Sequence, residues 1–134
     1  MDDPGGAHLE LELPGEVRQI RIIRLLTATA VRTLTAQDET RIQRLLIAIS
    51  EVFNNAVKTT QRSGSSEPIR FRLDIGSNQI VAAVTDAGGG FGEHQRTDTA
   101  GLGKGLAIAE AFSDWIDVAS ADGVTTVTMM IERS

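Results

Sequence analysis

The 134-residue chain contains no cysteine. That removes a disulfide framework and any thiolate metal site, and fits a reducing, cytoplasmic setting. Histidine is scarce. His8 and His94 stand far apart with no zinc-ligand spacing, and are expected as surface residues of a strand and a loop. Aromatics are few, and the single tryptophan, Trp115, suits core or interface better than a stacking platform. No apolar run approaches membrane-spanning length. The start, Met1-Asp2-Asp3-Pro4, is acidic and lacks the apolar stretch of a signal peptide. Positive charge is not in excess. Thirteen Lys and Arg against eighteen Asp and Glu leave a net charge of −5, which argues against direct binding of nucleic acid by charge. Repeats, low-complexity tracts and interdomain linkers are absent. The expectation is a single domain over 1–134, with 1–7 as a flexible tail and a hydrophobic content (41%) sufficient for a core.

What is present falls into clear periods. His8-Leu-Glu-Leu-Glu-Leu13 alternates apolar and polar residues, the mark of a half-buried strand. Pro14-Gly15 ends it. From Glu16 to Leu34, Ile20, Ile23, Thr27, Ala30 and Leu34 keep helical spacing, with Arg18, Arg21, Arg24 and Arg32 around that stripe. Asp38 suits the N-cap of a second helix reaching about Gln61, with Ile42, Leu45, Leu46, Ile49, Phe53 and Ala56 inward. Gly64 to Glu67 reads as a turn. Ile69 to Ile75 alternates again, Gly76-Ser77-Asn78 reads as a hairpin connection, and Gln79 to Thr85 as a more continuous apolar strand. A loop over Gly88 to Ala100 precedes a helix over Leu102 to Ser113. Trp115 to Ser120 and Thr125 to Glu132 form a closing pair around Ala121-Asp-Gly123. Helices and hairpins in runs, rather than alternating strand–helix units, predict an α+β two-layer sandwich. Strands joined by short turns should pair antiparallel, with the helices on one face and Arg70, Arg72 and Asp74 on the wet one.

Three islands carry the chemistry. Glu51-Val-Phe-Asn-Asn55 places a carboxylate and an amide one turn apart on a helix face that Ser50, Asn54 and Lys58 extend. An amide oxygen together with phosphate oxygens suits Mg²⁺, so Asn55 is the candidate metal ligand. Glu51 is then placed to act as a general base. Asp86-Ala-Gly-Gly-Gly90 follows a strand. A carboxylate at Asp86 can accept a hydrogen bond from an exocyclic amine, which selects adenine over guanine. Gly88 and Gly90 clear side chains from the base. Gly101-Leu-Gly-Lys-Gly105-Leu106 opens a helix, so Gly101, Gly103 and Gly105 can wrap phosphates, with Lys104 as a charge partner. Alone, each island has a bland reading: a solvated helix face, a turn, a hinge. Their joint order on the right elements points to a nucleotide site for ATP with Mg²⁺. Other nucleotide motifs fail on spacing. A Walker A loop needs Ser or Thr after the lysine, where Gly105 stands, and the dinucleotide fingerprint meets Leu106 where it needs glycine. A nucleophile elbow is missing too.

From about Leu9 to Arg133 the chain resembles the GHKL ATPase superfamily, its islands standing where that family has its N, G1 and G2 boxes. Ile49-Ser50-Glu51-Val-Phe-Asn-Asn55-Ala-Val-Lys58 is similar to the N box of stand-alone anti-sigma factor serine/threonine kinases. The resemblance implies a mixed, mostly antiparallel sheet with three helices on one face and ATP held between helices and a lid, with Glu51 as base, Asn55 on Mg²⁺ and Asp86 reading adenine. Gly88, Gly90, Gly101, Gly103 and Gly105 become the nucleotide loops, and Thr125 matches a threonine that closes the adenine pocket. It further implies a sigma factor and a STAS-type anti-anti-sigma protein as partners, the latter being phosphorylated. The two would share a surface near the first helix that includes Arg21 or Arg24, and a homodimer is compatible with the family. The sequence departs from the pattern at Thr59, where the N box often has histidine, and in a short lid, Gly92 to Ala100, with Arg96 its only long cation. Gly-Leu-Gly-Lys-Gly-Leu also resembles ATP-binding switch proteins that activate a partner phosphatase. A detached histidine-kinase-type catalytic domain is a third reading.

Overall fold

The structure, a computed structural model, describes residues 6–88 and 104–133. Gly90, Gly101, Gly103, His94, Arg96 and the lid over 92–100 lie outside the described residues, as do 1–5. Lys104 is placed as the first residue of a helix, and its side chain is not described.

Strand β1 (Ala7–Leu13) leads through a 3-10 turn (Val17–Gln19) into helix α1 (Ile20–Leu34) and then α2 (Glu39–Ser63). A hairpin of β2 (Ile69–Ile75) and β3 (Gln79–Asp86) follows, then α3 (Lys104–Phe112) and a hairpin of β4 (Trp115–Ala121) and β5 (Val124–Glu132). The strands form one sheet in the order β1-β2-β3-β5-β4. The α+β class and the helix-covered face are as expected. Where the expectation allowed a mixed sheet, all four ladders among the described residues are antiparallel. The reason is topological: β3 and β4 run the same way, but β5 stands between them and pairs with both.

Local chemistry sets these elements. Asp38, in an extended conformation, accepts a hydrogen bond from the Arg41 backbone N–H at 2.9 Å, the N-cap read from the sequence. Gly64 closes α2 with φ +73°, and the Ser65 N–H returns to the Thr60 carbonyl at 3.2 Å, so the helix runs two residues beyond Gln61. Asp122 (φ 56°) and Gly123 (φ 79°) make the left-handed two-residue turn that matches strand twist.

The period-two strands bury Ile69, Phe71, Leu73 and Ile75 against the helices and leave Arg70 and Arg72 in water. On the open face Arg70 pairs with Glu12 and Arg72 with Asp74, both at 3.1 Å. His8 bridges Asp74 and Glu10, and these bonds, Asp74's foremost, raise its pKa above the ordinary value. Helix α2 is the spine of the core, with Ile42, Leu45, Ile49, Val52, Phe53 and Val57 sealed from water. On α1 the buried set is Ile23, Thr27, Ala28 and Val31, with Ile20 and Ala30 packed at its margin. Leu34 shares the angular face of Ile23 but is 51% exposed, because it is the last residue of the helix. Among the described residues no helix is long and apolar enough to cross a membrane.

Candidate nucleotide site

The site is organised along one face of α2. Glu51, Asn55 and Thr59, spaced four residues apart, stack on that face, and all three are half-buried. The Thr59 hydroxyl donates to the Asn55 carbonyl at 3.0 Å, so the residue standing where the N box often has histidine folds back onto its own helix.

Two glycines from distant parts of the chain meet this face. At Gly88 a Cβ would lie 2.9 Å from both the carbonyl carbon and oxygen of Thr59. The exit of β3 therefore runs against the α2 backbone at a distance only glycine permits. At Gly105 a Cβ would lie 3.2 Å from Glu51 Oε1. The second residue of α3 is thus set directly against the Glu51 carboxylate. The other end of α3 is also tied to α2. Arg44 donates to the Ala111 carbonyl at 3.2 Å, and its guanidinium lies 5.1 Å over the Phe112 ring.

Asp86 ends β3 on the helix-covered side and is only 6% exposed. Its Oδ1 accepts the Gly88 backbone N–H at 3.0 Å, an Asx turn that bends the chain back toward α2. Burial raises the Asp86 pKa above the usual carboxylate value, and the Gly88 N–H partly opposes that rise. Thr125 stands opposite Asp86 in the β3–β5 ladder and is almost wholly buried. Its hydroxyl shares a 2.9 Å hydrogen bond with the Ser120 hydroxyl.

Glu51, Asn55, Asp86, Gly88, Gly105 and Thr125 therefore converge where α2 meets the end of β3 and the start of α3. Ser120 is an addition to the sequence-derived set. It was legible in principle: a two-residue turn at Asp122-Gly123 pairs Ala121 with Val124 and so Ser120 with Thr125. Arg24, half-buried, also braces the helices. Its guanidinium donates to Ser50 Oγ at 2.8 Å and to the Leu46 carbonyl at 3.3 Å, tying α1 to α2. Arg21, by contrast, is exposed.

These residues fit a nucleotide with Mg²⁺. Among the described residues no group of three or more His, Asp or Glu is arranged to hold an ion by itself. Asn55 offers one amide oxygen, the donor set of a hard ion that takes its other ligands from phosphate and water. Gly88 and Gly105 bring the exit of β3 and the first turn of α3 against the same face of α2. Two open grooves lie elsewhere. One of about 860 Å³ sits at the β2–β3 hairpin and one of about 560 Å³ beside Arg41, Arg44 and Phe112; neither is lined by Glu51, Asn55 or Asp86.

Comparison with known proteins bears on the family and the fold. Residues 13–131 match the family described as the histidine kinase-like ATPase domain. The chain is 27% identical over 132 residues to the serine-protein kinase RsbW of Bacillus velezensis and, equally, of Bacillus subtilis, spanning 88% of this chain and 81% of theirs. The Bacillus licheniformis RsbW is 24% identical over 140 residues, 94% of this chain and 87% of that one. Among solved structures, that of the RsbU and RsbW domains of Rv1364c from Mycobacterium tuberculosis superposes with a TM-score of 0.72 at 23% identity. The match covers 95% of this chain and 32% of that longer one, and it bears on the fold alone.

Proposed function

The chain belongs to the histidine kinase-like ATPase domain family, and from that premise we propose that it is an ATP-binding anti-sigma factor with serine/threonine kinase activity. It would hold a sigma factor and phosphorylate a small anti-anti-sigma protein. The relatives named serine-protein kinase RsbW support this reading over most of their length. The observation that carries it is Glu51, half-buried on α2, one turn before Asn55 and against the first turn of α3.

In this reading Asp86 and Thr125 receive the adenine, with Gly88 seating the exit of β3 against α2. Asn55 would hold Mg²⁺, which when bound would neutralise phosphate charge. Glu51 takes the proton of the partner's serine hydroxyl as its oxygen bonds to the γ-phosphorus. The bond from the γ-phosphorus to the bridging oxygen breaks, and ADP leaves with that oxygen. The partner gains the phosphoryl group, and Glu51 returns its proton to solvent. Helix α1 offers the docking face. Arg21 lies beside Ile22 and Leu25, 43% and 68% exposed, an apolar patch with a guanidinium suited to pairing carboxylates.

Radiolabelled ATP with candidate partner proteins tests the reading. Glu51→Ala should reduce phosphoryl transfer by about 10²–10⁴ while ATP affinity stays within a few fold. Asn55→Ala should instead weaken Mg²⁺-dependent ATP binding. Unchanged partner phosphorylation by the Glu51→Ala protein would remove the kinase mechanism.

A further inference from the structure

Gly105 enters the sequence argument as a phosphate-loop glycine, but its surroundings assign it another task. It is the second residue of α3, a position where glycine has no conformational advantage over alanine and costs backbone entropy. The space its Cβ would take belongs to one residue. The three nearest heavy atoms are Glu51 Oε1 at 3.2 Å, the Glu51 carbonyl oxygen at 3.7 Å and Glu51 Cβ at 3.9 Å. A methyl group at 3.2 Å from a carboxylate oxygen is too close to be tolerated without movement. The α2 backbone cannot supply that movement, because Val52 and Phe53, the next two residues, are locked in the core. Nor is α3 free to lift away, since Arg44 holds its far end through Ala111 and Phe112. What gives is the free end of the Glu51 side chain.

We propose that Gly105 is a positioning residue for Glu51: its missing side chain is the seat that holds the base carboxylate against the first turn of α3. This rests on the kinase reading for its consequence in catalysis, but not for its geometry. A Cβ there would displace the carboxylate by a few tenths of an ångström, and the base would lose alignment with the hydroxyl it must deprotonate; a full ångström of misplacement costs on the order of 10²-fold in rate.

The substitution that tests this is Gly105→Ala, and its first readout is independent of turnover. Carbon-detected NMR reports the side-chain carboxyl resonance of Glu51, assigned by its disappearance in Glu51→Gln. In Gly105→Ala that resonance should shift, while the melting temperature is held or raised. An unmoved resonance would overturn the proposal whatever the protein does. The second readout is single-turnover transfer at saturating ATP. Transfer should fall severalfold, up to roughly 10-fold, with ATP affinity within about threefold. Glu51→Asp combined with Gly105→Ala should cost less than the product of the two single changes, because the shorter side chain vacates the contested space. A loss of ATP affinity that matches the loss of rate would return Gly105 to the phosphates and defeat the inference. A shifted resonance in a protein whose transfer does not depend on Glu51 would instead defeat the kinase reading and leave the seat intact.

Discussion

Replacing Asp86 by Asn should move stability and nucleotide binding in opposite directions. Asp86 is 6% exposed, and its one described partner is the Gly88 N–H at 3.0 Å. Burial raises its pKa above the ordinary 3.8. The sign of the linkage follows. Between the unfolded and folded pKa values the folded protein binds more protons than the unfolded chain, so stability falls as pH rises through that window. The favourable contribution is whole below the unfolded value and gone above the folded one. At neutral pH the fold carries a buried charge satisfied by a single N–H. An Asn side chain keeps the Oδ1 acceptor for Gly88 and removes the charge, which should gain roughly 1 kcal/mol by the usual cost of an undercompensated buried group. For a domain of this size that is about 3–5 °C in Tm. The same exchange replaces a charged acceptor for the adenine amine by a neutral one. Losing a charge-assisted bond worth about 1.5–3 kcal/mol corresponds to roughly 10- to 150-fold weaker ATP binding. Thermal melts of both proteins without nucleotide, at neutral pH and at steps toward pH 4, measure the first effect. The gain should shrink as pH falls. Calorimetry with ATP and GTP measures the second. A variant that melts lower at neutral pH, or that keeps full preference for ATP, would refute the reasoning.

Other substitutions probe the frame around the site. Thr27 is fully buried on α1, and its hydroxyl has no hydrogen-bond partner among the described residues. Thr27→Val keeps the shape, removes the orphaned group, and should raise stability by about 1 kcal/mol in denaturant titration. Arg24→Ala should lower stability by roughly 1–2 kcal/mol, because it cuts the half-buried bonds from α1 to Ser50 and Leu46. Exposed Arg21→Ala should leave the melt within about 0.5 kcal/mol of wild type and weaken partner capture in pull-downs. Equal partner affinity in the Arg21→Ala protein would make that arginine an ordinary solvated charge.

The parts of the fold that sequence made legible are those ruled by local chemistry. Alternation in β1 and β2 identifies which side chains face the helices, because a strand's side chains point by turns to opposite faces. Asp38 marks the start of α2, since its carboxylate can cap free N–H groups and the residue before it keeps no helical period. Asp122-Gly123 marks a hairpin, because left-handed backbone is needed at both positions. The strictly antiparallel sheet is a different matter. It depends on β5 inserting between β3 and β4, a choice among neighbours that no local pattern encodes. Arg24 shows the same boundary. Its position beside the α1 stripe was visible, but whether it points to water or to Ser50 depends on the crossing of α1 over α2.

The glycines make the sharper case. That Gly88 and Gly105 must lack a side chain can be suspected from their setting in Asp-x-Gly and Gly-Lys-Gly runs. For whom the space is kept cannot. A nucleotide, a helix backbone and a neighbouring carboxylate all demand the same missing Cβ. At Gly88 the claimant within the protein is the carbonyl of Thr59, and at Gly105 it is the carboxylate of Glu51. Both claimants lie on one face of α2, two turns apart, with Asn55 between them. Gly88 and Gly105 are therefore set by the helix before any ligand is considered. A motif glycine can be spent on alignment of the protein's own reacting group, and only then on the substrate. That order matters for interpreting substitutions. If alanine at either position weakens ATP binding, the nucleotide is the claimant; if it shifts the Glu51 carboxyl resonance or alters the packing of β3 on α2 with ATP binding intact, the protein is.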